Sequence, residues 1–288
     1  MSLTRRGLLV ASGVSGLLVG CGGPTTSTPP PPPERPAPEG STRIPYGKLH
    51  GSQFADLRMP AQDPRATVVL LHGGYWYAQY GLEQTHSMAT ELTDLGFATW
   101  NVEYRRTGDG GGFPNTFRDV AAAVDRLAGV GLPAGLADNV VLVGHSAGGH
   151  LAVWAASRYD RTPGGEPKVL PRGAISLAGI LDLVRSGSAP GSSAPVSEFM
   201  GGSPTEVPED YALADPARLV PAGCPVWAVH PERDEVVPGE QSTSYVDLAK
   251  AAGGTVERVV VPGDHVEVID PDAPCFATIH RLIDEASS

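Results

Sequence analysis

The chain has 288 residues, and 21 Lys+Arg against 32 Asp+Glu leave a formal net charge of −11. Phosphate binding needs a basic stripe, and no basic cluster follows Arg6, so the balance argues against a nucleic-acid partner. Apolar residues make up 41% and fall in discrete runs, which excludes disorder throughout. A length near this suits a single α/β domain of roughly 250 residues.

Residues 4–9 read Thr-Arg-Arg-Gly-Leu-Leu, and an uncharged apolar stretch runs on to Gly20. A basic start and a short apolar stretch predict an export signal, and the Arg5-Arg6 pair resembles the twin-arginine type. From Gly7 to Gly20 there are only fourteen residues, whereas a spanning helix needs about 20. Leu18-Val19-Gly20-Cys21 resembles a bacterial lipobox, which implies cleavage before Cys21, lipidation of its thiol, and a protein held at the outer face of the cell membrane. Without Arg5 and Arg6, 19 basic residues face 32 acidic ones, a balance of −13. Such a body does not adhere to anionic lipid by charge, so the only membrane contact expected is through the acyl chains. Residues 21–45 continue as a linker with five consecutive prolines and no apolar periodicity. That composition predicts an extended spacer of about 3 Å per residue.

From Tyr46 to Ser288 apolar runs alternate with helical patterns. Residues 46–59 read as a weak leading hairpin. Strands are predicted at Thr67–His72, Phe97–Val102, Asn139–Gly144, Ala174–Ala178, Pro225–His230 and Thr255–Val261, with amphipathic helices near 84–95, 116–129, 147–158, 240–252 and 275–286. Strands alternating with helices of this length predict an α/β fold with a mostly parallel sheet covered on both faces. One stretch breaks the alternation. Residues 186–216 are rich in Gly, Ser, Pro and Ala, with short helical segments around Phe199 and Tyr211, and read as a small cap.

The strongest chemical signal is Gly144-His145-Ser146-Ala147-Gly148-Gly149, set directly after a strand and before a helix. Gly-x-Ser-x-Gly in that setting is a nucleophile elbow, with Ser146 over the C-terminal edge of the sheet. A hydroxyl needs a base to activate it and a carboxylate to orient that base. His265, in the loop after the last strand, is the base; His280 lies inside the final helix. Asp234, in the loop after the preceding strand, is the acid; Glu235 points elsewhere and Asp264 holds the base loop. The oxyanion needs backbone donors, expected from Gly74, Tyr75 and Ala147, since His72-Gly-Gly-Tyr-Trp76 is similar to the His-Gly-Gly-Gly type of oxyanion loop. His72 is expected to brace that loop. His145 and His150 read as packing residues. No His, Cys or carboxylate pair has metal-ligand spacing, so no metal and no cofactor are implied. Cys224 and Cys275 fall at opposite edges of the sheet and read as separate thiols.

These residues together resemble the α/β-hydrolase superfamily, in its esterase/lipase branch of bacterial carboxylesterases and arylformamidases. The resemblance rests on His72-Gly-Gly-Tyr-Trp76, Glu103-Tyr-Arg105, Gly144-His-Ser-Ala-Gly-Gly-His-Leu151, Asp234-Glu-Val-Val-Pro238 and Asp264-His265. Two departures stand out: Pro231 follows His230 where the family usually has Gly, and Val266 follows His265 where formamidases often carry Phe. The resemblance implies a serine hydrolase that cleaves small acyl or aryl esters through an acyl-enzyme. Formylkynurenine-type amide hydrolysis is the alternative, and an exopeptidase a third option.

Overall fold

Residues 36–129, 133, 137–189 and 193–288 are described in a computed structural model. The predicted export signal, Cys21 and most of the predicted spacer lie outside them. Among the described residues eight short strands form: β1 (Thr42–Pro45), β2 (Phe54–Arg58), β3 (Thr67–Leu71), β4 (Ala98–Val102), β5 (Val140–His145), β6 (Gly173–Leu177), β7 (Val226–Pro231) and β8 (Val256–Val261). They form one sheet in the order β1-β2-β4-β3-β5-β6-β7-β8. The β1–β2 and β2–β4 pairs are antiparallel, and every pair from β4 to β8 is parallel.

The central strands β3, β4, β5 and β6 are buried along their whole length, which is why they read as continuous apolar runs. Their side chains alternate between two cores. On one face Val69, Trp100 and Leu142 meet α2 (Asn115–Asp125), α3 (Ala147–Ala156) and α7 (Glu240–Ala251) through Phe117, Trp154 and Tyr245. On the other, Val68, Leu70 and Val143 meet α1 (His86–Asp94) and α8 (Phe276–Ala286) through Met88, Leu92, Ile279 and Ile283.

Two boundaries differ from the expectation. The spacer does not reach residue 45, and the leading hairpin does not begin at Tyr46. Thr42–Pro45 is already a strand, in register with β2 from Thr42↔Leu57 to Pro45↔Phe54. Four residues are too few to display an alternating pattern, and what makes them a strand is the partner: Arg43 grips Asp56 with two bonds of 2.8 Å and lies over the Phe54 ring. Pro45 ends this edge strand, where its missing N–H costs no ladder bond. Among the described residues the cap between β6 and β7 holds three helices rather than two: α4 (Leu183–Ser188), α5 (Ser193–Met200) and α6 (Pro208–Ala214). Helix α4 has poor intrinsic propensity, Leu-Val-Arg-Ser-Gly-Ser. It is held from outside by Asp182, which accepts from the Arg185 amide, and by buried Asp215, which accepts from the Leu183 and Val184 amides.

The connection from β3 goes one way, to β4, and that from β5 goes the other, to β6, so the order reverses between β3 and β5. In such sheets ligands sit in the crevice at the carboxyl ends of the strands flanking that reversal. Helix α3 presses closely against those ends because Gly148 carries no side chain: a Cβ there would lie 2.0 Å from the Leu71 carbonyl oxygen and 2.4 Å from that of His72. Replacing Gly148 with Ala is therefore expected to lower unfolding free energy in urea by at least about 2 kcal/mol, since backbone rather than a pliable side chain must give way. Gly253→Ala, which meets nothing within 4 Å, should cost only its left-handed backbone, about 1 kcal/mol. Equal losses would refute the close-approach argument.

Candidate active site

The turn from β5 into α3 places Ser146 at φ 53° and ψ −116°. A non-glycine residue there costs of order 1–3 kcal/mol and persists only when its surroundings fix it. Ser146 donates its amide to the Leu177 carbonyl at the end of β6 (2.8 Å) and receives the His150 amide on its own carbonyl (3.1 Å). Both anchors belong to regular elements, so the strain is locked in.

The loop after β3 runs beside it. Gly73 lies so near the elbow that a Cβ would be 2.8 Å from His145 Nδ1 and 3.2 Å from Ser146 Cβ. Gly74, Tyr75 and Trp76 then follow with φ of 100°, 52° and 58°. Three successive residues with positive φ make this a strained turn, and free backbone N–H groups at such a turn suit an anion. Among the described residues no acceptor takes the Gly74, Tyr75 or Ala147 amide.

His72 sets the base of this loop. Its Nδ1 bonds the Gly73 carbonyl at 2.9 Å, its Nε2 meets Glu103 Oε1 at 3.1 Å, and its ring stacks on Tyr104 with centroids 4.3 Å apart. Tyr104 Oη donates to the His72 carbonyl at 2.7 Å. Glu103 is buried, which alone would resist ionisation. The adjacent His72 and Arg106, with the Tyr104 amide, outweigh that and hold its carboxyl below the ordinary range. The motif Glu103-Tyr104 thus braces the loop, a role that residue types alone do not announce. The usable signal is register: Leu71 and Val102 are level neighbours on β3 and β4, so His72 and Glu103 emerge side by side.

Asp234 and His265 come together at the ends of β7 and β8. His265 Nδ1 lies 2.8 Å from Asp234 Oδ2, while Asp234 Oδ1 accepts the Val236 and Val237 amides at 2.9 and 2.8 Å. Burial pushes the Asp234 carboxyl up, but the His265 contact and the two amides prevail and keep it below its ordinary value. Asp264 accepts the Val266 and Glu267 amides and so shapes the His265 turn. Glu235 is exposed, and His280 lies in α8 beside Asp284.

Ser146 Oγ and His265 are not hydrogen-bonded to each other in this structure. What joins their loops is His145, whose Nε2 lies 2.7 Å from the His265 carbonyl oxygen and whose ring is 4.8 Å from that of His265. His145 is buried and pushed down to about 4 by that burial, with His265 adding to it. It is therefore neutral, and the nitrogen facing the carbonyl must carry the proton and donate it. His150 behaves alike, donating to the Ala214 carbonyl at 3.0 Å. Both were expected only to pack; each is also a tether.

Among the described residues no group of three or more His, Cys, Asp or Glu side chains is placed to hold a metal ion, and no helix is long and apolar enough to cross a membrane. Cys224 and Cys275 are free thiols.

A family profile described as BD-FAE matches residues 55–248. A kynurenine formamidase from Danio rerio is 25% identical over 259 residues, which is 84% of this chain and 76% of that protein. Esterase LipQ from Mycobacterium tuberculosis is 28% identical over 238 residues, 77% of this chain and 56% of its own. Among solved structures, a truncated carbohydrate esterase from gut microbiota superposes with a TM-score of 0.72 at 21% identity, covering 88% of this chain and 99% of the other. The sheet order and this superposition identify an α/β-hydrolase fold.

The buried histidines make acid stability a test of this arrangement. His145 and His150 are each pushed down to about 4 by burial, and burial also lowers His230. In the unfolded chain they protonate near 6.5. Between about pH 6.5 and 4 the unfolded chain thus binds more protons, and stability falls as pH falls, by up to about 1.4 kcal/mol per pH unit for each histidine. Urea unfolding at pH 7.5, 6 and 5 should show that loss, and His150→Gln should flatten its slope. An unchanged slope in the variant would contradict the buried neutral assignment.

Proposed function

The chain belongs to the BD-FAE family and is a carboxylic ester hydrolase, and from that premise we propose that it works as a serine hydrolase on small acyl or aryl esters, with Ser146, His265 and Asp234 as its triad. The observation that carries this reading is the 2.8 Å contact between His265 and buried Asp234, on loops tied through His145 to the strained turn at Ser146.

Ser146 Oγ attacks the ester carbonyl while His265 Nε2 takes its proton. Asp234, kept ionised by its amide donors, stabilises the resulting imidazolium and fixes the tautomer. The carbonyl oxygen becomes an oxyanion that the Gly74, Tyr75 and Ala147 amides receive, each such donor being worth roughly 10²–10³ in turnover. The tetrahedral species collapses, the C–O bond to the alcohol breaks, and His265 returns the proton to the leaving oxygen. Water, deprotonated by the same His265, then attacks the acyl-enzyme, and the acid departs as Ser146 regains its proton. The approach of Ser146 to His265 that this requires is one that commonly tightens only with substrate present.

A second reading has an observation in its favour. The kynurenine formamidase relative aligns over 84% of the chain, and the same machinery would cleave an aryl formamide. Export weighs against it, because formylkynurenine is an intracellular metabolite. We propose export with lipidation at Cys21 on the strength of the Arg5-Arg6 pair and Leu18-Val19-Gly20-Cys21.

Ser146→Ala should abolish fluorophosphonate labelling and reduce p-nitrophenyl butyrate turnover by roughly four orders of magnitude or more; retained turnover would refute the mechanism. Wild-type kcat/KM on the acetate and butyrate esters should exceed that on N-formylkynurenine, and the reverse ranking would select the formamidase reading. Cys21→Ser should move the protein from the membrane fraction to the soluble one. Identical fractionation of the two forms would exclude the lipid anchor.

A further inference from the structure

The loop bearing the proposed oxyanion donors is strained where it matters most; the Thr107 backbone bonds it at the Trp76 carbonyl and the Ala78 amide, and the cap helix α5 grips its side chains. Trp76 sits at φ 58° directly after Tyr75 at 52°, and a bulky side chain holds such a backbone only where packing dictates it. The Trp76 ring is wholly buried. It lies flat on Phe199 of α5, centroids 4.4 Å apart and planes 9° from parallel, with the edge of His150 on its other contact at 5.3 Å. Its indole N–H has no hydrogen-bond partner among the described residues, so the ring's position rests on stacking rather than on a polar bond. The neighbouring pair repeats the grip: Tyr77 Oη donates to Glu198 Oε2 at 2.9 Å. Consecutive residues of α5, Glu198 and Phe199, therefore hold consecutive residues of the loop, immediately beyond Gly74 and Tyr75.

The helix is itself fixed from below. The Phe199 carbonyl accepts the Phe113 amide at 2.8 Å, and its ring packs on Phe117 at 5.3 Å. Phe117 also meets Trp154 of α3 at 4.8 Å, the helix whose first amide, Ala147, is the remaining proposed donor. A continuous aromatic stack thus runs from α3 through α5 to the loop.

We propose that α5 is a positioning element for the oxyanion donors, with Phe199 and Glu198 setting the aim of the Gly74 and Tyr75 amides through Trp76 and Tyr77. This inference rests on the serine hydrolase reading. The cap then governs how fast bound substrate reacts. Phe199 as a wall of the acyl pocket would instead govern which chain length binds.

The test measures kcat and KM on p-nitrophenyl acetate, butyrate and octanoate for the full-length protein and for Phe199→Leu, Phe199→Tyr and Tyr77→Phe, with thermal midpoints alongside. Phe199→Leu is expected to lower kcat at least about tenfold on all three esters with KM held within about twofold, as misaimed donors do. Phe199→Tyr keeps the stack and should recover most of the loss. Tyr77→Phe removes only a surface hydroxyl, leaves the midpoint unchanged and should lower kcat about threefold. It carries the test alone if Phe199→Leu does not fold. Unaltered kcat in the folded variants, or an optimum shifted toward octanoate with acetate turnover intact, would overturn the proposal. Wild type and Ser146→Ala in the same plates report separately on the parent reading: if Ser146→Ala remains active, that reading has failed whatever the cap variants do.

Discussion

The active edge of this protein is organised around one contact that only glycine permits, the pressing of α3 onto the carbonyl oxygens that end β3. A Cβ on Gly148 would stand 2.0 Å from the Leu71 oxygen, and one on Gly144 would stand 2.0 Å from the Gly148 oxygen. Because helix and strand meet this closely, the single residue between β5 and α3 has no relaxed conformation open to it, and Ser146 takes φ 53°. The same closeness brings Gly73 against the serine and points the start of α3 at the loop after β3. Nucleophile and proposed donors are therefore consequences of one backbone packing decision.

Around that contact the chain spends buried polar groups on holding loops still. Glu103 and Tyr104 fasten His72; His145 fastens the His265 loop; Asp234 is fastened by two amides and then fastens His265. Four of these six bonds end on backbone, which fixes loop shape more directly than a side-chain partner would. His145 is kept neutral by burial, so its tautomer is set and its hydrogen bond has one direction. The cap enters through the same logic. Helix α5 contributes an aromatic face to a strained turn that has no polar bond of its own for the Trp76 ring.

Much of this was legible in the sequence for identifiable reasons. Fully buried strands announce themselves as unbroken apolar runs, and the order of strand-end motifs, Gly73-Gly74, then Ser146, then Asp234 and His265, follows from a parallel sheet that places every loop of interest at one edge. What stayed hidden depends on partners distant in the chain. Thr42–Pro45 is a strand because β2 lies beside it. Helix α4 forms because Asp215, thirty-two residues beyond Leu183, caps it. The tethering roles of His145 and Glu103 need the register between strands, and the clamp of Phe199 on Trp76 joins residues with no local pattern in common. Local propensity carries none of that information.

The central claim is that Ser146 becomes acylated in turnover, and it can be read covalently. Wild-type protein mixed with p-nitrophenyl butyrate, quenched in acid within the first turnovers and digested, should yield one modified peptide by mass spectrometry, bearing a butyryl group on Ser146 that disappears as the ester is exhausted. A butyryl group on any other side chain, or full turnover with Ser146 never modified, would contradict the account.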